Sequence, residues 1–512
     1  MKFGFRWYDS FLILLLFYLF VLQIQAIWPF TIDDMFISLR YAKHWAAGKG
    51  ILWNLQAPPV EGYSNFSFVV LGALTLLLNG NPVVFLKMAG IAGLFFTCRF
   101  IYLISRFWFT PRESLLPCVG LLLYKGQIIW AASGLETTVY EALLCGAVYY
   151  CLRGMGYGLF PASRGTSITR YFIFSGIFLA FAGLTRPEAP AFMILFLILI
   201  YWDRPTENLR HYRNSVLLFC FMLLLFYGPY FLWRLYYFGF LFPNSVYCKG
   251  VAKTFTFTLD LAYLKMIWPL AFLALPACLQ SEDKKPYFLW LPSVLYLILL
   301  VNSDPLVAFE NRLFLPAFAL LLPLVVQGIR LFLYGVWPRK NLHFSLFFYL
   351  SSLLVLLLII PKMSLADYRY FSQNPVRGEL LRNKVVAWLN RNTSPDDWVV
   401  LADSGLIPYS SNLNFIDSYC LNNLAMAHYS TKDMYVEFCE AIWQKKPAVI
   451  ILTSLIKQGK IIYTPSDACL KEKLHQYNYQ LRATYVSNNP DSIYRYEIYE
   501  DPIILPAKKR EF

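Results

Sequence analysis

The sequence predicts a polytopic α-helical membrane protein carrying a C-terminal extracytoplasmic α/β domain. Three observations lead there. Apolar residues make up 58% of the 512 positions and charged ones only 15%, with a mean hydropathy of +0.48, outside the range of soluble globular chains. Apolar runs recur at about 17–25 residues, the length a helix needs to cross roughly 30 Å of hydrocarbon. Beyond residue 362 polar residues return and apolar segments shrink to strand length.

The spans read at 10–28, 82–105, 115–132, 137–153, 171–185, 188–202, 215–238, 264–280, 286–302, 313–335 and 343–361, about eleven in all. The segment 64–78 is ambiguous. If it lies in the interface rather than crossing, the basic short loops all face the cytoplasm. Those loops carry Lys2 and Arg6, Arg106 and Arg112, Arg153 and Arg170, Lys284 and Lys285, Arg339 and Lys340. The N-terminus is then cytoplasmic and the C-terminal domain outside. The first run is long and no small-residue cleavage site follows it, so it reads as a signal-anchor.

The net charge of +14 is spread over these loops, which fits contact with anionic headgroups and not nucleic-acid binding. Six of the ten cysteines lie in or beside spans, where they act as small apolar residues. Cys420, Cys439 and Cys469 fall in the tail, where one disulfide is conceivable without a spacing rule to assign it. No metal-ligand spacing of CxxC or HExxH type appears. From 362 onward, the short runs 398–402 and 448–452 alternate with helical patterns at 380–389 and 432–444, as in a small α/β domain.

Chemistry gathers in the loop after the first span. Asp33 and Asp34 stand side by side near the lipid–water boundary, where ionising a carboxylate costs roughly 2.5–3.5 kcal/mol at the extreme of mid-membrane. Adjacent carboxylates also repel, which raises one pKa and suits a proton acceptor. The other outward span ends add Arg40 and His44, Glu61, Tyr63 and Asn65, Glu136, Arg186 and Glu188, Arg234, Asn244 and Lys249, and the stretch from Asp304 to Arg312. Acids, bases and amides restricted to one face are what group transfer from a phosphate-bearing lipid requires. A carboxylate deprotonates an acceptor hydroxyl, and arginines hold a phosphate leaving group. The bland readings stand beside these: Arg186 and Glu188 as a local pair, Glu136 as first-turn charge, Asn244 as a turn residue and Arg312 as a snorkelling flank.

The run Asp33-Asp-Met-Phe-Ile-Ser-Leu-Arg-Tyr-Ala42, then Gly48-Lys-Gly-Ile-Leu-Trp-Asn54 and Val60-Glu-Gly-Tyr-Ser-Asn65, resembles the first outer loop of a bacterial GT-C glycosyltransferase family that includes the AftB-type arabinofuranosyltransferases. The resemblance continues through Ser133-Gly-Leu-Glu136, Gly183-Leu-Thr-Arg-Pro-Glu188, Trp233 to Gly239, Pro243 to Lys249 and Asn311-Arg-Leu-Phe-Leu-Pro316. It ends in the tail at Leu401-Ala-Asp-Ser-Gly-Leu-Ile-Pro408. It implies a GT-C transmembrane domain over 1–361, with a catalytic first outer loop at 29–81, and a periplasmic α/β domain over 362–512. It further implies an inverting transfer from a polyprenyl-phosphate sugar donor to a cell-envelope glycan or glycolipid acceptor, at the periplasmic face of a bacterial inner membrane. Asp33 matches the base, with Asp34 orienting the acceptor or Asp33, or the reverse. Arg40, His44, Glu61, Tyr63, Asn65, Glu136, Arg186, Glu188, Arg234, Asn244, Lys249 and Arg312 match donor- and acceptor-binding positions. No cofactor is firmly implied; Mg2+ or Mn2+ on Asp33, Asp34 and Glu61 is the alternative the hard carboxylates allow. Leu39 and Ala57-Pro-Pro59 depart from the family pattern, which leaves the sugar open. The competing reading is a transporter or flippase of lipid-linked sugars, which calls for mid-span charge and repeat symmetry; the spans are almost free of such charge, Glu141 near a span end being the main exception, and the two halves do not resemble each other.

Overall fold

The structure, a computed structural model, describes residues 7–158, 166–205, 209–250, 257–301, 303, 305–336, 344–428, 434–487 and 493–505. Lys2, Arg6, Asp304, Arg339, Lys340 and the Lys249 side chain lie outside the described residues. The chain forms two compact units. One comprises Met1–Trp28, Lys87–Trp233 and Thr254–Arg369; the other comprises Pro29–Leu86, Arg234–Lys253 and Tyr370–Phe512.

The first unit is helical. Among the described residues, six helices of the chain are long and apolar enough to cross a membrane, and a bent pair adds a seventh candidate. Four shorter apolar helices, Phe66–Leu77, Ala189–Trp202, Tyr287–Leu300 and Phe344–Ile359, complete the apolar set. The helix Leu315–Val336 forms the centre of this unit, packed against Thr258–Leu279, Tyr287–Leu300 and Thr137–Gly154. Gly328 permits that packing, because a Cβ there would overlap the Leu273 carbonyl of the neighbouring helix. Small residues at crossings are how membrane helices approach without a hydrophobic driving force between them.

Among the described residues one span departs from the sequence expectation of a single straight helix. The run read at 115–132 breaks at Tyr124 into Leu116–Leu123 and Lys125–Ala131, bent by 70°. The Lys125 N–H donates to the Pro361 carbonyl at 3.0 Å instead of to the preceding helical turn, so the α-helical ladder stops there. The run read at 215–238 begins earlier and continues as one span from Leu209 to Phe238, with Tyr227 as a single non-helical residue between Leu209–Phe226 and Gly228–Phe238. Pro229 has no N–H to continue the ladder across that point.

The second unit is built on a six-stranded mixed sheet. The strands are β1 (Trp398–Leu401), β2 (Asn414–Asp417), β3 (Val449–Lys457), β4 (Lys460–Tyr463), β5 (Gln480–Val486) and β6 (Ile493–Glu500), in the order β2-β1-β3-β6-β5 with β4 paired to β3. β1 runs parallel to β2 and β3, whereas β6 is antiparallel to β3 and β5. Successive side chains alternate between faces. Val399, Leu401, Val449 and Ile451 meet Leu381, Val385 and Leu389 of the helix Leu365–Asn392. Val400, Ile450 and Leu452 meet Phe438, Ile442 and Leu470 on the opposite face. The tail is therefore an α/β domain, as its alternating pattern predicts.

The first-loop helices belong to the same unit. Met35–Ala46 packs against Phe66–Leu77, and at 12 residues the latter spans roughly 18 Å, short of the hydrocarbon thickness. Two disulfides close the unit, Cys248–Cys420 and Cys439–Cys469. The sequence expectation of one tail bridge without an assignment is corrected to two. The reason it fell short is that Cys248 lies 172 residues before its partner. Cys248→Ser is expected to lower stability by about 2–5 kcal/mol, read as an earlier loss of folded protein in a thermal melt in detergent; an unchanged melt would mean the bridge is dispensable.

Candidate active site

Asp33 and Asp34 sit just ahead of the helix Met35–Ala46, with Asp34 as the residue before its first turn. The Asp33 carboxylate is largely buried, its side chain 18% exposed. Oδ1 accepts the Leu406 N–H at 3.0 Å and pairs with Arg382 Nε at 3.1 Å. Gly405 makes this approach possible, since a Cβ there would overlap both the Asp33 carboxylate and its carbonyl. Burial pushes the Asp33 pKa up to about 6; Arg382 and the Leu406 N–H pull it down, while Asp403 and Asp34 push it further up. A carboxylate with that value is ionised at neutral pH yet basic enough to take a proton in a transition state.

Arg382 is shared. It donates from Nε and Nη2 to Asp403 Oδ2, both at 3.2 Å. Asp403 also accepts the Tyr494 hydroxyl at 3.0 Å and the Tyr496 hydroxyl. Asp403 follows β1, at the C-terminal end of a parallel strand, and the adjoining Ser404 hydroxyl donates to Asp417 Oδ2 at 2.7 Å. Asp417, 1% exposed at the end of β2, accepts the N–H groups of Tyr419, Cys420 and Asn422 as well. Burial pushes the Asp417 pKa up and these bonds oppose it.

A second buried pair adjoins the same loop. Arg234 grips Glu61 bidentately, Nε to Oε1 at 2.9 Å and Nη2 to Oε2 at 2.8 Å, with both side chains no more than 5% exposed. The Glu61 carbonyl accepts the Asn244 N–H at 2.9 Å. Asn244 Nδ2 and Ser245 Oγ are buried without a protein partner among the described residues, and buried polar atoms of this kind invite a ligand or water. Tyr63 packs edge-on against Tyr41 at 4.9 Å and against Phe238 at 6.2 Å. Asn65 accepts the Ser38 hydroxyl at 2.6 Å.

Arg40 and His44 are occupied locally. Arg40, 2% exposed, donates to the carbonyls of Trp53 at 2.7 Å, Leu413 at 2.8 Å and Pro408, and to Asn54 Oδ1 at 3.3 Å. It fastens Met35–Ala46 to the C-terminal segment. His44 Nδ1 donates to the Leu52 carbonyl at 2.7 Å, and burial pushes its pKa down to about 4. It is therefore neutral at pH 7.

Glu136, Arg186, Glu188 and Arg312 come together in the first unit. Glu136 Oε1 takes Arg186 Nη1 at 2.7 Å and Arg312 Nη2 at 3.0 Å. Arg186 also reaches Glu188 Oε1 at 2.5 Å and Oε2 at 3.0 Å. The local Arg186–Glu188 pair is thus present, but it is part of a larger cluster. Arg312 follows two residues in the left-handed region, Glu310 (φ 50°) and Asn311 (φ 51°). That turn is held by Lys125, which pairs with Glu310 at 2.8 Å, and by the Tyr124 hydroxyl, which donates to the Glu310 carbonyl at 3.0 Å.

Sequence reasoning missed Arg382, Asp403 and Ser245. Asp403 lay within the tail motif quoted above, and that was its one signal. No three His, Cys, Asp or Glu residues form a metal-holding group among the described residues. Of the three carboxylates expected for Mg2+ or Mn2+, both Glu61 oxygens are taken by Arg234 and Asp33 Oδ1 by Arg382 and the Leu406 N–H, so an ion held by these residues would have to displace arginine.

The structure is similar to that of ArnT from Cupriavidus metallidurans bound to undecaprenyl phosphate, with a TM-score of 0.59 and 11% identity over 95% of this chain and 98% of that one. It is also similar to the Archaeoglobus fulgidus oligosaccharyltransferase in its apo form, with a TM-score of 0.54 and 11% identity over 94% of this chain and 81% of that one. Residues 367–499 match a family described as a domain of unknown function, DUF8728. No curated protein matches the sequence. These structural likenesses extend over nearly the whole chain, and its fold is that of the GT-C membrane proteins, a polytopic helical body with a C-terminal α/β domain.

Proposed function

We propose that this protein is an inverting membrane glycosyltransferase that moves a sugar from a polyprenyl-phosphate donor to a glycan or glycolipid of the cell envelope. The observation that carries the reading is Asp33, a mostly buried carboxylate with one oxygen anchored and a pKa near 6, on the first loop of a GT-C fold. Undecaprenyl phosphate bound to ArnT supports the class of donor. The two disulfides of the second unit support its placement in an oxidising compartment, with the N-terminus cytoplasmic and the membrane the bacterial inner one.

In the proposed step Asp33 takes the proton of an acceptor hydroxyl. That oxygen bonds to the anomeric carbon, and the bond from this carbon to the phosphate oxygen breaks. Its electron pair leaves on polyprenyl phosphate, so the configuration inverts. Asp34 orients the acceptor. Asn244 Nδ2 and Ser245 Oγ are assigned to sugar hydroxyls, since each is a buried polar atom awaiting a partner. Arg186, Arg234, Arg312 and Lys249 are assigned to donor phosphate and sugar contacts. The first three are held by carboxylates in the structure, so phosphate contact would exchange a glutamate oxygen for a phosphate oxygen. Arabinofuranose is one sugar the AftB resemblance suggests.

The test is turnover of polyprenyl-phosphate sugars by the purified full chain with a lipid extract as acceptor source, with and without EDTA. Release of polyprenyl phosphate together with sugar transfer, undiminished by EDTA, is the expected result. Movement of the intact donor across a vesicle bilayer without transfer would overturn it in favour of a transporter.

A further inference from the structure

The tail could serve as no more than a cap on the outer loops. Its contacts with Asp33 are of another kind. Two separate pieces of the C-terminal segment reach the Asp33 carboxylate, Arg382 from the helix Leu365–Asn392 and the Leu406 N–H from the turn after β1, while Tyr494 and Tyr496 from β6 hold Asp403 behind Arg382. Arg382 is bracketed between two carboxylates, Asp33 at 3.1 Å and Asp403 at 3.2 Å. Its side chain is 15% exposed, so the bracket is poorly screened by solvent. The turn is itself held from beneath by the Ser404–Asp417 hydrogen bond, and its glycine leaves room for nothing larger against Asp33. A surface cap needs none of this. In open α/β sheets, moreover, the turns at the C-terminal ends of parallel strands are where chemistry is placed.

We propose that Arg382 and Asp403 are positioning residues of the active site, which hold the Asp33 carboxylate in orientation and set the charge around it, so that the C-terminal α/β segment is a working part of the catalytic apparatus. This rests on Asp33 being the base. Arg382 and the Leu406 N–H both hold Asp33 Oδ1, which fixes the orientation of the carboxylate against Gly405. Asp403 divides the positive charge of Arg382 between two carboxylates, so that Arg382 orients Asp33 without fully suppressing its basicity. The groups acting electrostatically on Asp33 are Asp34 on its own segment, Arg382, Asp403, the Leu406 N–H, and the Tyr494 and Tyr496 hydroxyls on β6.

The two residues therefore act on Asp33 with opposite sign, which a scaffold role does not. The experiment measures kcat/KM for transfer against pH in the full chain, wild type beside Arg382→Gln, Arg382→Lys and Asp403→Asn. Losing the cation disfavours the Asp33 anion, so Arg382→Gln moves the acid limb up by about one to three pH units. Losing the neighbouring carboxylate favours that anion, so Asp403→Asn moves the limb down. Arg382→Lys keeps the charge without the planar fork, and restores the limb while recovering part of kcat. Lowered plateaus with the limb unmoved in all three variants would overturn the proposal. Should Arg382→Gln fail to fold, Arg382→Lys and Asp403→Asn still decide, because the downward shift belongs to Asp403 alone. The midpoint of Asp33 ionisation is read in parallel by infrared difference spectra against Asp33→Asn, with no substrate present. If no donor is ever turned over, the transferase reading fails, yet opposite shifts of that midpoint uphold the coupling and an unmoved midpoint overturns it.

Discussion

Asp33→Asn is expected to lower transfer by about 10²–10⁴-fold, the contribution of a positioned general base. The substitution keeps a carbonyl oxygen to accept the Leu406 N–H but removes the charge facing Arg382. Arg382 retains Asp403 as a partner, so the buried cation is not stranded and the protein should remain folded. Asp34→Asn is expected to cost less, because that residue orients the acceptor; if its loss were the larger, the roles of the two would be exchanged. The pH dependence follows from the same carboxylate. A base works deprotonated, and the Asp33 pKa is raised to about 6, so kcat/KM should be level above that value and fall about tenfold per pH unit below it. An acid limb near the ordinary carboxylate range would remove Asp33 from the role.

Breaking the Glu61–Arg234 pair is expected to have the largest effect on folding. Both partners are nearly inaccessible, and both guanidinium–carboxylate contacts are under 3 Å. Either Glu61→Ala or Arg234→Ala leaves one buried charge uncompensated, which costs about 3–5 kcal/mol. The pair joins positions 173 residues apart within the second unit, so its loss should also loosen the Asn244–Glu61 backbone contact and the Asn244 and Ser245 side chains beside it. A double replacement, Glu61→Gln with Arg234→Met, removes both charges and should recover most of the loss. Thermal melts of the detergent-solubilised variants measure this. Single variants as stable as wild type would show the pair to be solvated in solution.

The membrane class and the α/β nature of the tail were legible because they rest on local properties. A run of about twenty apolar residues has few alternatives to crossing a bilayer, and Val399-Val-Leu401 and Val449-Ile-Ile-Leu452 are short, β-branched runs with strand character. The other four of the six strands were less visible. β5 and β6, as in Gln480-Leu-Arg-Ala-Thr-Tyr-Val486, mix arginine, glutamate and tyrosine into their pattern, because side chains such as Tyr494 and Tyr496 are spent on Asp403 instead of on an apolar core alone. The break at Tyr124 was hidden too, since the Pro361 carbonyl that ends the helix is remote in sequence.

The site divides the same way. Asp33 and Asp34 could be found from the sequence because two carboxylates in succession after an apolar span are conspicuous without any partner. What one of them can do depends on Arg382, Asp403 and Leu406, and the Leu406 contact alone spans 373 positions. Arg40 reads in sequence as a cation at a span end, yet its burial against four oxygens makes it a fastener. The sequence by itself determined which segments are apolar enough for the bilayer and which carboxylates stand at their edge, since hydropathy and adjacency are properties of neighbours along the chain. Only the tertiary structure decided which charges meet, and hence which carboxylate is neutralised and which is left basic, because electrostatic energy depends on distance and burial in space.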